Sequence, residues 1–150
     1  MSFNDDIVMK TIDKVSSILT KNFPNHISFG NGTFTITRGS SHIMITVRQF
    51  VRNETVIECT AHVVTGATIT PVLMKFLLRK NAELHFGSFG LLFDDTITFS
   101  HSITGTNLDE NELTVTLNSV AFIADYYDDV IVEMAGGKRA ADIVGAMEEN

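Results

Sequence analysis

RKNAELHFGSFGLLFDDTITFSHSITGTNLDENELTVTLNSVAFIADYYDD, residues Arg79–Asp129, decides the fold. It sets out, in order, a helix end, a strand, a tight turn, a second strand, a loop and a capped helix. Ile97, Phe99, His101 and Ile103 share one parity, while Thr96, Thr98, Ser100 and Ser102 share the other. Such alternation belongs to an antiparallel strand with one face buried and the other wetter. Asp94-Asp95 predicts a tight two-residue hairpin between strands Leu84–Phe93 and Thr96–Ile103. Asp109 then stands as an N-cap with Glu112 at the third helical position, an acidic relative of the capping box. That helix is expected to run to about Met134, where Gly136-Gly137 stops it.

Upstream, Asn4–Lys21 places Ile7, Val8, Ile12, Val15 and Leu19 on one helical face, with Lys10, Asp13, Lys14, Ser17 and Lys21 on the other. Phe23-Pro24-Asn25 ends this helix, because the residue before a proline is pushed out of the α region. Strands are expected at Thr33–Arg38, His42–Val51 and Thr55–Thr65, separated by glycine- and asparagine-bearing turns. Thr70-Pro71 opens a second helix, threonine as N-cap and proline at the first helical position. Val72, Leu73, Phe76 and Leu77 form its core side, yet Met74 and Leu78 make its other side apolar too. A helix apolar on both sides is usually covered twice.

Lys138–Glu149 reads as one more short helix with Ile143, Val144 and Met147 on its apolar side. The order α-βββ-α-ββ-α predicts an α+β fold, an antiparallel sheet of about five strands with helices packed on one face. No repeat or linker interrupts it, so residues 1–150 are expected to form a single domain, with 138–150 a short C-terminal helical tail.

Composition narrows the function classes. The formal net charge of −7 and pI near 5.1 repel phosphate backbones, which argues against nucleic acid as a partner. The short basic groups Lys75, Arg79, Lys80 and Lys138, Arg139 lie near expected helix ends, where cations offset the macrodipole. No apolar run approaches the roughly 18–20 residues a membrane span needs. MSFNDDIVMK carries acids before its lone Lys10 and lacks a small-residue cleavage site, so cytoplasm is the expected location. Cys59 is the sole cysteine and alternates with Ile57, Ala61 and Val63, so it is expected as a small buried hydrophobe, with no disulfide and no thiolate-rich metal site.

Candidate chemistry is sparse. Asp125, Asp128 and Asp129, with Glu133, bring carboxylates together at helical spacing, which suits a hard cation. They lack the alternating carboxylates and glycine turn of a calcium loop. Asp125 and Asp129 fall off the stripe of Leu113, Leu117, Val120, Ala124 and Ile131; Asp128 borders it and could hold a neighbouring segment. His101 shares core parity, but no nucleophile elbow accompanies it, and Ser100 and Ser102 point to the other face. His26, His42, His62 and His85 are scattered without zinc-ligand spacing. Gly87 and Gly90 lack a Walker lysine and open a strand, so they read as close-packing positions. No catalytic, cofactor or metal residue is expected.

One pattern remains. Val115 and Phe122 lie seven residues apart on the side of the last long helix turned away from its apolar stripe. With Met74 and Leu78 they make four apolar side chains on expected outer faces, the candidate partner or dimer interface. Clustered exposed apolar residues mark contacts. Either Ile143, Val144 and Met147 fold back over Val115 and Phe122, or the outer face of the second helix meets a partner.

The helix–strands–helix–strands–helix order over nearly the whole length resembles the type III secretion chaperone-like fold. NAELHFGSFGLLFDDTITFSHSITG followed by LTVTLNSVAFIADYYDDVI and a Gly-Gly stop resembles, more specifically, the YbjN-like bacterial proteins, with the match densest across Asn81–Gly137. The resemblance implies an α+β domain without catalytic activity or cofactor. Secretion chaperones of this fold are small acidic homodimers with an interface built around their second helix, and they bind partly unfolded client segments. YbjN-like proteins are described as sensory transduction regulators. The expectation is a non-enzymatic, chaperone-like or adaptor-like homodimer that binds an unidentified protein client. The alternative is a small-ligand or metal-ion sensor or enzyme using His101 or the Asp125, Asp128, Asp129 group.

Overall fold

The computed structural model describes residues 5–143. Helix α1 (Asp5–Asn22) has Asp5 and Asp6 in its first turn and Lys21 in its last, each at the end where the helix dipole favours it. Its buried residues Thr11, Val15, Ile18 and Leu19 recur at helical spacing. They cover strands β3 (Ser41–Val51) and β4 (Glu54–Thr65). β1 (Ile27–Ser28) and β2 (Thr33–Arg38) precede them; α2 (Pro71–Glu83), β5 (Ser88–Leu91), β6 (Ile97–Thr104), α3 (Glu110–Ala135) and β7 (Lys138–Arg139) follow. The fold is α+β with an antiparallel sheet, ordered β1-β2-β3-β4-β6-β5, and β7 pairs with the far end of β4.

The core lies on one face of that sheet. Phe34, Ile36, Ile43, Ile45, Val47, Ile57, Cys59, Ala61 and Phe99 are buried there in register, Ile43 opposite Ala61 and Ala61 opposite Phe99. Against them α3 sets Leu113, Leu117, Val120, Ala121, Ala124 and Ile131, all buried. Its N-cap is Asp109, whose side chain accepts from the Glu112 N–H at 2.7 Å. Gly136, at φ 72°, closes its C-terminus.

Several expectations need correction. The antiparallel α+β sheet is as expected; among the described residues two further strands, β1 and β7, each only two residues long and too short to show a period, extend it to seven. Five residues, Leu92 to Thr96, connect β5 to β6, where two were expected. Leu92 N–H donates to Thr96 O and Asp95 N–H to Leu92 O, while Asp95 takes φ 66°, a turn closed by a left-handed residue. β5 is also shorter than Leu84–Phe93, because Leu84 serves as the C-cap of α2. The tail does not begin as a helix: Lys138 and Arg139 pair with Thr65 and Val64 as a strand. Gly137 permits this turn at φ 83°, where a Cβ would lie 2.7 Å from Ala67 N. Residues 140–143 are helical; Val144 and Met147 lie outside the described residues.

Candidate functional site

Helix α2 and strand β5 enclose an apolar groove of about 240 Å³. Leu73, Met74, Leu77 and Leu78 supply the helix wall, Phe89 and Leu91 the strand wall, and Ile69 and Asn81 flank them. Thr70 begins the helix by accepting from the Leu73 N–H at 3.2 Å. Leu73 is buried as the floor, whereas Leu78 is 68% exposed and Met74 44%. The lip is therefore open hydrocarbon.

Aromatic rings hold the two walls in place. Phe89 meets Phe99 and Tyr127 edge-on at 5.0 and 5.5 Å between centroids, and Tyr127 meets Phe76 at 6.3 Å. These contacts anchor both β5 and α2 to α3. The Asn81 amide spans the groove's end, donating to Phe89 O at 3.2 Å and accepting from Phe89 N–H at 2.7 Å. A side chain thus occupies the outer hydrogen-bonding groups of β5 at that residue and blunts the sheet edge.

Of the four expected interface residues, Met74 and Leu78 come together in this groove. Val115 and Phe122 do not line it. Phe122 stacks on Tyr126 at 6.3 Å and 21°, and the two are 67% and 60% exposed on α3. The described tail runs elsewhere: Ala140 and Ala141 line a cavity with His42, Met44, Thr60 and His62, on the sheet face away from the helices. Ile143 is exposed. Sequence reasoning missed Phe89, Leu91 and Ile69 as groove residues, and it missed Phe93, fully exposed at the β5–β6 tip. The signal was the Leu91-Leu92-Phe93 run beside a turn on an expected strand end.

The titratable candidates have other partners. Ser40, in the β2–β3 turn, donates its hydroxyl to Asp125 and lies 3.4 Å from Asp128 Oδ2; Ser41 donates to Ala121 O at 3.1 Å. Arg139 reaches Asp129 at 3.6 Å and Asp142 at 2.7 Å. The carboxylates thus tie the hairpin and β7 to α3. Asp128 is buried with Oδ1 lacking a hydrogen-bond partner, and burial pushes its carboxyl above the usual range. Among the described residues, no group of three or more His, Cys, Asp or Glu is placed to hold a metal ion.

His101 stands directly across from Cys59, a pairing that scattered sequence positions hide. Burial, with a smaller contribution from Glu58, pushes that thiol up to about 12, so it holds its proton and is no nucleophile. The His101 ring packs edge-on against Phe86 at 5.8 Å. Among the described residues, no helix is long and apolar enough to cross a membrane.

No curated protein matches this chain. Residues 10–143 match the family described as "T3SS (YopN, CesT) and YbjN peptide-binding chaperone 1". That span is most of the 150 residues and includes every wall of the groove, so the chain belongs to this family of peptide-binding chaperones.

Proposed function

We propose that the protein is a non-enzymatic binding module that holds an extended apolar segment of a client protein in the α2–β5 groove. The observation that carries this reading is the open lip of Met74, Leu78 and Leu91 above a buried Leu73 floor, on walls fixed from behind by aromatic contacts. A preformed apolar cleft gains affinity because little has to be ordered on binding. Peptide binding by the family supports this use of the groove. Cytoplasm is the proposed site of action, with neither nucleic acid nor membrane as a partner.

A homodimer is part of the same reading. Val72, 70% exposed, and Leu78 project from α2, and Val115 and Phe122 from α3, as surfaces a second copy could bury. Fluorescence anisotropy of labelled peptides that alternate leucine or phenylalanine with polar residues tests the groove. Saturable binding by the wild type, lost in Met74→Asp with Leu78→Asp, is the expected result; equal binding by both proteins removes the groove as the site. Sedimentation of the same pair tests the dimer. An unchanged monomer in both discards it and leaves the peptide result standing.

A further inference from the structure

The face of the sheet away from the helices carries a second constellation. Register brings it together, because its two histidines, His42 and His62, lie 20 residues apart in the chain. Ile43 pairs with Ala61 and Met44 with Thr60; His42 and His62 are the next residues of the two strands, just past the last pair of that ladder. Thr37 pairs with His42, and His62 with Thr98, which completes a row Thr37–His42–His62–Thr98 across four strands. The next row is Thr35–Met44–Thr60–Ser100. Directly opposed antiparallel residues hold their Cβ atoms about 4.5–5.5 Å apart, and a diagonal neighbour such as Met44 to His62 stays within reach of a long side chain.

A cavity of about 190 Å³ confirms that these side chains face one space: His42, Met44, Thr60 and His62 line it, walled by Ala140 and Ala141. His42 Nδ1 lies 3.0 Å from Thr37 Oγ1, which fixes the ring and leaves Nε2 for a ligand. Such an outer hydrogen bond is how metal-binding imidazoles are oriented. Among the described residues, His62 makes no hydrogen bond or close ion pair, and the Asp94 carboxylate interacts with it electrostatically at longer range. Two imidazoles and a thioether form a neutral, soft donor set. Zinc prefers four ligands, and calcium and magnesium prefer oxygen. Thioether with imidazole suits copper in its monovalent state.

We propose that His42, His62 and Met44 form a Cu(I)-binding site on the open face of the sheet. It is independent of the α2–β5 groove, which lies on the other face. Cys59 does not belong to it: that thiol sits on core parity and is fully buried.

Anaerobic titration of the full chain with Cu(I), in competition with a colorimetric Cu(I) chelator, tests the assignment. One equivalent bound by the wild type is expected. His42→Ala and His62→Ala should each weaken it by at least about tenfold, and Met44→Leu should weaken Cu(I) while leaving any Zn(II) binding unchanged. These residues face away from the core, so unchanged melting temperatures will show that the variants are folded. X-ray absorption of the loaded protein should show two nitrogen donors and one thioether sulfur. The proposal is overturned by failure of the wild type to compete with the chelator. Wild-type Cu(I) affinity in any of the three variants overturns it equally, as does a copper site whose sulfur is the Cys59 thiolate.

Discussion

Helices α2 and α3 lie on the same face of one sheet, yet the chain covers them very differently. α3 buries eight residues, from Leu113 to Ile131, whereas α2 buries Leu73 alone. The difference is not one of apolar content, since α2 carries Val72, Leu73, Met74, Phe76, Leu77 and Leu78 within 13 residues. What differs is the ground beneath. α3 lies across β3, β4 and β6 at the centre of the sheet, while α2 meets β5, a four-residue strand at the edge. A long helix on a broad sheet is stabilised by burial within its own chain. A helix at the margin has hydrocarbon left over, and each Å² that a partner removes from water is worth about 25 cal/mol.

Substitution at the centre should show the largest effect. Leu117 is fully buried, so Leu117→Ala should cost roughly 2–5 kcal/mol, read as a lower urea midpoint at unchanged slope. A loss under about 1 kcal/mol would mean that α3 is less tightly packed than its burial indicates. Next comes the approach to the marginal strand. Gly87 sits at φ 80°, and an added Cβ would lie 2.7 Å from the Phe99 ring and 2.8 Å from Ser100 O. Gly87→Ala should cost roughly 1–3 kcal/mol and disturb β5 first, seen as faster amide exchange at Phe89 and Leu91.

A third test concerns the one buried charge on α3. The Asp128 carboxyl is raised in the fold by burial, so its contribution to stability is complete below the ordinary carboxylate range. That contribution is lost as pH rises through the raised value. Asp128→Asn should therefore gain on the wild type in thermal midpoint between acidic and neutral pH; a constant difference across that range would refute the assignment. The smallest expected change in stability is at the α2 lip. Met74→Asp with Leu78→Asp should alter folding by only about 0.5 kcal/mol per site, because both side chains already meet water. A large destabilisation there would place these side chains in the core and erase the contrast between the helices.

The contrast was partly legible in residue order. Period-two alternation identified the central strands, and Thr70-Pro71 located the start of α2. The apolar Met74 and Leu78 marked its excess, because helical geometry converts spacing directly into faces. The groove's second wall was not legible. Phe89 and Leu91 face α2 only because Asn81 and the Tyr127 ring draw β5 beneath it, and neither contact leaves a periodic trace. β7 escaped for a related reason: two residues show no alternation, and their pairing with β4 depends on where Gly136 and Gly137 turn the chain. His42 and His62 looked scattered because only strand register makes them neighbours. Asp125 and Asp128 were read from their own helix, while their partner Ser40 lies more than eighty positions upstream.

Phe93 has a practical consequence. Its ring stands wholly in solvent beside the open margin, on a turn stiffened by the Asp94 carboxylate accepting from Thr96 N–H. A photoreactive aromatic amino acid installed there would have no internal contact to break. Illumination would covalently tag molecules that come alongside β5, and mass spectrometry of the adducts would identify them.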